Sequence, residues 1–580
     1  MTGAWLLRER PRPERIRRRP DAHWLVVATV CVGAFMGQLD ASIVTLAFPT
    51  LKASFHTTLA TVEWVGLAYL LALVATVTAV GRLADMIGRK LLYTYGFGVF
   101  TLASAGCALA PNLPILVVCR IVQGIGAAML QANSVALITT AMPAGRLGRG
   151  IGAQGTAQAL GLALGPAVGG LLIALGGWRL LFLVNVPAGL LGTIAGWLLL
   201  PRSRDLAPRT RFDWTGLGLF VPAVSAMLLA LSLGTGGELA IPASVALGAV
   251  AVAAGVVFVR HERHASEPML DLALFARRSF GAGVGVGLLG YLVLFGVLFV
   301  TPFFLEGVRH QHTATAGLTL AVLPAALGLV APVAGALTDR LGPRTPTVLG
   351  MLITATALLA LAGTAAIHGS AGMLTVALAA VGAGVGMFTP ANNTAIMTSV
   401  RTRQAGVAGG ILNLTRGVGT SLGVALTALI FALAAGHATP ASLPPALAQR
   451  GFIAAVMLLA ATAAAAAAIA ALRGGPRPPP RHMPPARHGH APPPGQQITS
   501  TGGPTDMSRQ PDPSPWPLAD VVATLAEEFR GIHSTSTIQR LVQECGHQFA
   551  NTRVVDFIPL LVHRLARERL HALTTSTDRP

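Results

Sequence analysis

Two oppositely charged side chains sit deep inside long apolar stretches of this sequence. Asp40 belongs to LDASIVTLAFP, Leu39 to Pro49, and Arg120 opens RIVQGIGAA, Arg120 to Ala128. An ionised group at the centre of a bilayer costs about 2.5 to 3.5 kcal/mol on the most lenient insertion scale, so each must face a cavity, water or a partner. A carboxyl group held away from bulk water can carry a proton and give it up when its cavity hydrates or a cation arrives. A structural aspartate hydrogen-bonded between helices is the plainer alternative for Asp40. Arg120 is too deep to be explained by snorkelling to a surface, so it needs a partner or water; a packing role bonded to carbonyls is the plainer alternative. Arg416, in NLTRGVGTSLG (Asn413 to Gly423), raises the same question. Glu306 closes another apolar run, and Trp64 and Tyr69 lie in a third. A carboxylate or a ring face suits a lipophilic cation, although interface anchoring explains the aromatics equally well.

Two further patterns concern movement. In GLALGPAVGG, Gly161, Gly165 and Gly169 recur every four residues, so they share one helix face and permit close backbone approach, while Pro166 removes an amide donor and bends the helix. A glycine-rich nucleotide loop does not fit, because no strand precedes the glycines and the flanks are of membrane length. GRLADMIGRK, Gly81 to Lys90, places Asp85 beside Arg82, Arg89 and Lys90 between two apolar runs. Carboxylate and guanidinium near helix ends can form a charge network. GALTDRLGPR, Gly335 to Arg344, repeats its glycines Gly81 and Gly88, its acid as Asp339 and a basic partner, Arg340. There Pro343 stands in the network, which is expected to be looser.

The elements that must hold these residues follow from composition. Of 580 residues, 53% are hydrophobic and 11% charged, and the mean hydropathy is +0.63. A soluble domain carries about twice that charge. Fourteen runs are long enough to span a bilayer, where every backbone amide must be satisfied within the helix. They are read at 24–48, 61–81, 91–110, 114–138, 151–175, 180–200, 215–234, 241–259, 281–305, 315–337, 346–367, 372–397, 406–435 and 450–472. The charge-rich pattern returns after eight spans rather than six, so the inserted pair is about 215–259 and the architecture is 6 + 2 + 6.

The net charge of +19 comes from 42 Lys and Arg, of which only Lys52 and Lys90 are lysine. They cluster in alternate loops, at Arg8 to Arg19, Arg82 to Lys90, Arg146 and Arg149, Arg202 to Arg211, Arg260 to Arg278, Arg340 and Arg344, and Arg401 and Arg403. That alternation is membrane topology, with both termini cytoplasmic, and argues against a nucleic-acid partner. The basic start, 1–23, is followed by too long an apolar run for a cleaved signal. Four scattered cysteines form neither a disulfide scaffold nor a metal knuckle. Residues 473–516 are rich in Pro, Arg and His and read as a disordered linker; irregular spacing makes a metal site at His482, His488 and His490 the weaker reading. Periodicity returns over 517–573 as a small soluble three-helix bundle, in which Cys545 reads as a packing thiol, and 574–580 is a disordered end.

Several motifs in order, over residues 24–472, strongly resemble the major facilitator superfamily, and within it the fourteen-spanner drug:proton antiporters: LDASIVTLAFP, GRLADMIGRK, RIVQGIGAA, GLALGPAVGG, GWRLLFLVNVPAG (Gly177 to Gly189) and NLTRGVGTSLG. The resemblance implies an all-α membrane protein of major facilitator fold in a bacterial cytoplasmic membrane. It implies export of lipophilic, cationic small molecules by the proton gradient, without a cofactor and without enzymatic chemistry. Asp40 becomes the proton-carrying carboxylate and Arg120 its helper, the partner of Arg120 staying open. Gly161, Gly165, Pro166 and Gly169 become the antiporter motif. Gly81, Asp85, Gly88 and Arg89, with Asp339 and Arg340, become a conformational latch. Trp64, Tyr69, Glu306 and Arg416 remain candidate substrate contacts. Export of a cell-made metabolite or antibiotic, or proton-linked import, is the alternative. The tail resembles the three-helix domain found with bacterial arsenate-reductase-like phosphatases; it lacks their phosphate loop and is expected to meet a cytoplasmic partner.

Overall fold

The computed structural model describes residues 9–472 apart from 10, 144, 204–205, 207–211, 234–240 and 436–443, together with 518–529, 533–547, 562, 563, 565, 566, 569 and 570. The start before Glu9, the 473–516 linker and the 574–580 end lie outside the described residues. Among those described, fourteen helices are long and apolar enough to cross a bilayer. Spans one to six are Ala22–Phe55, Leu59–Ile87, Arg89–Leu109, Leu113–Ala141, Leu147–Gly176 and Trp178–Leu199, and the inserted spans seven and eight are Trp214–Leu233 and Ile241–His264. Spans nine to fourteen are Arg278–Gly307, Thr313–Leu341, Arg344–Ala366, Ala371–Thr398, Thr402–Ala435 and Pro445–Leu472.

Local chemistry sets where they start and stop. At the side opposite the arginine-rich loops, Thr58, Asn112 and Ser370 cap spans two, four and twelve, each side-chain oxygen accepting a backbone N–H three residues on. Such caps are worth about 0.5 to 2 kcal/mol each. On the arginine-rich side, the segments 81–90 and 335–344, read from sequence as loops, are mostly helix. Nothing between Arg82 and Ile87 breaks the helical pattern, so span two runs on until Gly88, whose φ of 125° is open to glycine and strained for other residues. Gly342, with φ 79°, makes the equivalent corner before span eleven.

Span one packs on span five and span two on span four, while in the second half span nine packs on span thirteen and span ten on span twelve. The halves meet where span two lies against span thirteen and span five against span ten. Spans seven and eight pair with each other at the periphery, and only Phe258 and Glu262 of span eight are buried. An apolar helix so little covered by protein is suited to facing lipid.

Chain contacts divide the molecule into Met1–Pro479 and Pro480–Pro580. In the second unit, helices Ala519–Glu528 and Thr535–His547 place Val521, Leu525, Ile538 and Val542 in one core. Val562, Ala566 and Leu570, spaced four apart, join it. Cys545 is buried there, and burial raises its thiol pKa, the reverse of what a nucleophile needs. Each unit thus has its own core. A chain ending at residue 479 is expected to elute as one symmetric peak and to unfold within about 2 °C of the full chain; aggregation of the shortened protein would show that the transmembrane unit depends on the tail.

Candidate functional site

Asp40 is fully buried in span one, and three side chains from two other spans converge on it. Arg120 Nη1 of span four donates to Oδ2 at 2.7 Å, while Gln123 Nε2, one turn on, and Asn185 Nδ2 of span six donate to Oδ1 at 3.0 and 2.9 Å. Arg120 is itself 1% exposed. Its Nε donates to the Val65 carbonyl at 2.9 Å and its Nη1 also to Gln123 Oε1 at 2.6 Å. Its guanidinium lies 4.1 Å from the centre of the Tyr69 ring. Ser104 accepts from Gln123 at 2.8 Å, which fixes the amide with its nitrogen toward the acid. The partner left open by the sequence is therefore Asp40. Asn185 and Gln123 are additions: both lie inside the quoted motifs, and their signal was a carboxamide in an apolar run.

Span one carries Asp40 on one side and the glycine face of span five on another. A Cβ added to Gly161 would stand 2.6 Å from the Phe35 carbonyl oxygen, and one added to Gly165 would stand 2.0 Å from Ser42 Oγ. These glycines thus admit the backbone of the helix that bears the acid. Pro166 cannot donate to the carbonyl of Leu162, four residues back, and Ser42 Oγ of span one supplies that bond at 3.2 Å.

Beside this cluster lies a cavity of about 520 Å³ between the halves. Its walls run from Gln131 and Asn413, in the depth of spans four and thirteen, to Phe48 and Glu63 beside the turn joining spans one and two. Tyr69, Arg120 and Arg416 line it; Trp64, which is 45% exposed, and Glu306, also exposed, do not. Glu63, which the sequence reading passed over, is the carboxylate in the wall instead.

The arginine-rich side is tied across the halves by two reciprocal contacts. Asp85 of span two accepts the backbone N–H of Gly406 at 2.8 Å and of Val407 at 2.9 Å, the first turn of the span-thirteen helix. Asp339 of span ten accepts Gly148 N at 2.6 Å and Arg149 N at 3.1 Å, the first turn of span five. Each acid sits where a helix presents free N–H groups and the positive end of its dipole. The approach needs glycine: a Cβ on Gly81 would be 2.3 Å from Gly406 O, and one on Gly335 would be 2.2 Å from Gly148 O.

The two copies differ in charge. Arg89 grips Asp85 Oδ1 through Nε and Nη2 at 2.9 and 2.6 Å and also donates to the Thr402 carbonyl. The residue four after Asp339 is Pro343, so no such grip exists there; Arg149 of the other half approaches to 3.9 Å, and Arg340 is exposed. Not every cation of the first motif joins Asp85. Arg82 pairs with Glu267 at 3.5 Å, and Lys90 caps the end of span six through the Trp197 and Leu200 carbonyls at 2.9 and 2.8 Å. Glu9 accepts Leu91 N at 3.3 Å and Ser203 Oγ at 2.8 Å. A second cavity of about 940 Å³ lies on this side, with Arg12, Arg89, Thr140 and Arg202 among its walls. Partial burial lowers the pKa of Arg12.

Asp85→Asn keeps the shape of the acid and removes its charge from two N–H donors and Arg89. With the four native cysteines replaced by serine and a reporter Ala132→Cys, buried between spans four and thirteen, thiol labelling is expected to rise several-fold for Asp85→Asn and less for Asp339→Asn. Equal labelling of Asp85→Asn and its parent would mean that this contact does not hold the side shut.

The chain matches the Major Facilitator Superfamily over residues 30–424. Residues 518–574 match the N-terminal domain of protein-tyrosine-phosphatase-like proteins. It is 32% identical over 412 residues to the riboflavin transporter RibZ of Clostridioides difficile, covering 70% of this chain and 88% of that one. It is 34% identical to the multidrug resistance protein Stp of Mycobacterium tuberculosis, covering 70% of this chain and 76% of that one. With the tetracenomycin C resistance and export protein of Streptomyces glaucescens the identity is 31%, over 73% of this chain and 78% of that one. Among solved structures, the proton:xylose symporter XylE has the same fold at a TM-score of 0.56, with 14% identity over 77% of this chain and 95% of that one. Fourteen membrane-length helices among the described residues, two facing halves and these matches make the chain a member of the Major Facilitator Superfamily, a multi-pass membrane transporter and not an enzyme.

Proposed function

We propose that this transporter exports small, lipophilic molecules in exchange for protons, as an antiporter in a bacterial cytoplasmic membrane with both termini in the cytoplasm. The observation that carries the proposal is the buried Asp40 cluster, built at the edge of a cavity of drug-binding size and packed on the glycine face of span five. Relatives named for multidrug resistance and for tetracenomycin C export support the outward direction, and drug or antibiotic resistance is the expected phenotype. The relative named a riboflavin transporter keeps a cell-made or nutrient molecule as the second reading.

In the mechanism, a proton reaching Asp40 Oδ2 neutralises the acid and removes the attraction that holds Arg120 Nη1. Arg120 keeps the Val65 carbonyl and Gln123, so its charge is not stranded when the pair loosens. Spans one and four are then less firmly joined, and span five, packed closely on span one, passes the change to span ten, where the halves meet. Opening the arginine-rich side requires Asp85 and Asp339 to leave their helix ends, after which substrate enters and the proton departs. Alternating access of this kind rocks two halves about a midplane site.

The drive is the proton gradient, with no cofactor. One pH unit gives about 1.4 kcal/mol per proton, and 100 mV gives about 2.3 kcal/mol per charge moved. Together these support some hundreds-fold concentration of a neutral substrate per proton, by order of magnitude.

In inverted vesicles holding an imposed proton gradient, adding a transported drug is expected to discharge the gradient. Asp40→Asn, at equal abundance, is expected to lose that response. Drug-dependent proton release that survives in Asp40→Asn would remove Asp40 from the proton path, and drug export that ignores uncouplers would remove proton coupling altogether.

A further inference from the structure

We infer that the substrate of this cavity carries an acidic or strongly hydrogen-bond-accepting group, such as a carboxylate, phenolate or enolate, and that Arg416 receives it. The inference rests on the cavity being the export path and concerns which charge it accepts.

The charges in the wall are unequal in what they already hold. Asp40 and Arg120 neutralise each other at 2.7 Å. Glu63 is exposed in the part of the wall nearest the turn between spans one and two. Arg416 lies in span thirteen, in the second half, and its described partners are neutral: Nη2 donates to Gln158 Oε1 at 2.7 Å and to Tyr291 Oη at 3.4 Å. Its guanidinium stands 5.2 Å from the centre of the Tyr291 ring. Nη1 is buried and has no hydrogen-bond partner. Among the described residues no carboxylate pairs with Arg416.

A guanidinium cannot discard its proton to escape burial, as a carboxyl or an imidazole can, so a cation placed there needs an acceptor. Its planar fork matches two oxygens of one carboxylate or a pair of neighbouring carbonyl and phenolate oxygens. Around it Gln131, Asn413 and the unpartnered hydroxyl of Tyr69 add polar contacts, and Phe48, Leu70, Val74 and Phe295 add apolar wall. That is a seat for a flat apolar body with an oxygen-rich edge. A permanent cation would instead meet Arg416 with like charge and find its counter-charge only at Glu63.

The charge also agrees with the direction of work. An anion leaving as a proton enters moves two charges down an inside-negative potential, whereas a monovalent cation leaving as a proton enters moves none. Because Arg416 and Asp40 stand on opposite halves, the two are linked through access and not through competition for one carboxylate.

Two xanthene dyes of similar size and opposite charge test this, fluorescein as the anion and rhodamine 6G as the cation. In inverted vesicles, full-length protein is expected to accumulate fluorescein at least tenfold better than rhodamine 6G, and Arg416→Gln at equal abundance to lose that uptake at least tenfold, with Arg416→Lys between them. Preference for rhodamine 6G, or unaltered fluorescein uptake by Arg416→Gln, overturns the inference. If the vesicles move neither dye, fluorescein anisotropy with purified protein separates the two ideas. Binding that weakens at least tenfold in Arg416→Gln supports the charge assignment while the export reading fails, and equal or absent binding overturns the assignment as well.

Discussion

The attraction between Asp40 and Arg120 is the constraint to which the rest of the first half answers. Two full charges buried at bilayer depth are stable only if each lone pair and each N–H has a place to go, and leaving one charge alone costs about 3 to 5 kcal/mol. The chain meets that demand with neutral amides and a carbonyl: Gln123 and Asn185 on the acid, Val65 and Gln123 on the base. Spans one, two, four and six are drawn to one point by this cluster. If Asp40 takes a proton, as proposed, the bonds of Arg120 to Val65 and Gln123 would hold its charge in a different geometry.

The second constraint is closure of the arginine-rich side without a covalent tie. Asp85 and Asp339 use the free N–H groups that begin spans thirteen and five, bonds that would otherwise go to water. In the proposed opening of this side, water would take those donors back, so the net free energy of each contact is modest. A charged side chain at a partly buried helix start contributes up to about 2 kcal/mol. The two contacts are related by the internal repeat, yet only the first has an arginine four residues on. The first-half contact therefore holds the more charged partner of the two.

Much of this was legible in the sequence. Hydrophobic run lengths and the arginine alternation placed all fourteen helices with ends within about seven residues, because hydrocarbon leaves the backbone so few options. Asp40 and Arg120 stood out as charges in apolar surroundings, and Pro343 marked the weaker copy of the charged motif. Their partners did not stand out. Asn185 and Gln123 are neutral, and which amide reaches Asp40 depends on the rotation of three helices, information that periodicity holds weakly when helices are apolar all round. The reciprocal capping was invisible for a related reason: its donors are backbone groups of Gly406, Val407, Gly148 and Arg149, and any residue but proline supplies them. Glu306 suffered the opposite error of emphasis, since a lone acid at the end of an apolar run can face either lipid headgroups or a cavity, and here Glu63 is the one in the wall.

The inserted pair of spans follows from the same arithmetic. Spans seven and eight contribute Ser232 to the cavity wall and no charge to the Asp40 cluster. Their own polar contacts lie at both ends: Ser244 Oγ donates to the Ala230 carbonyl at 2.7 Å, and on the arginine-rich side Asp213 accepts the Gly216 N–H at 2.7 Å and meets His261 at 3.0 Å. Span eight is so little covered that deleting polar groups from it would cost the site nothing directly. Span seven instead lies against spans two and thirteen, the pair joined by Asp85. A helix that touches both sides of the Asp85 contact and supplies no side chain to the Asp40 cluster is placed, on the proposed mechanism, to bias how far the halves part.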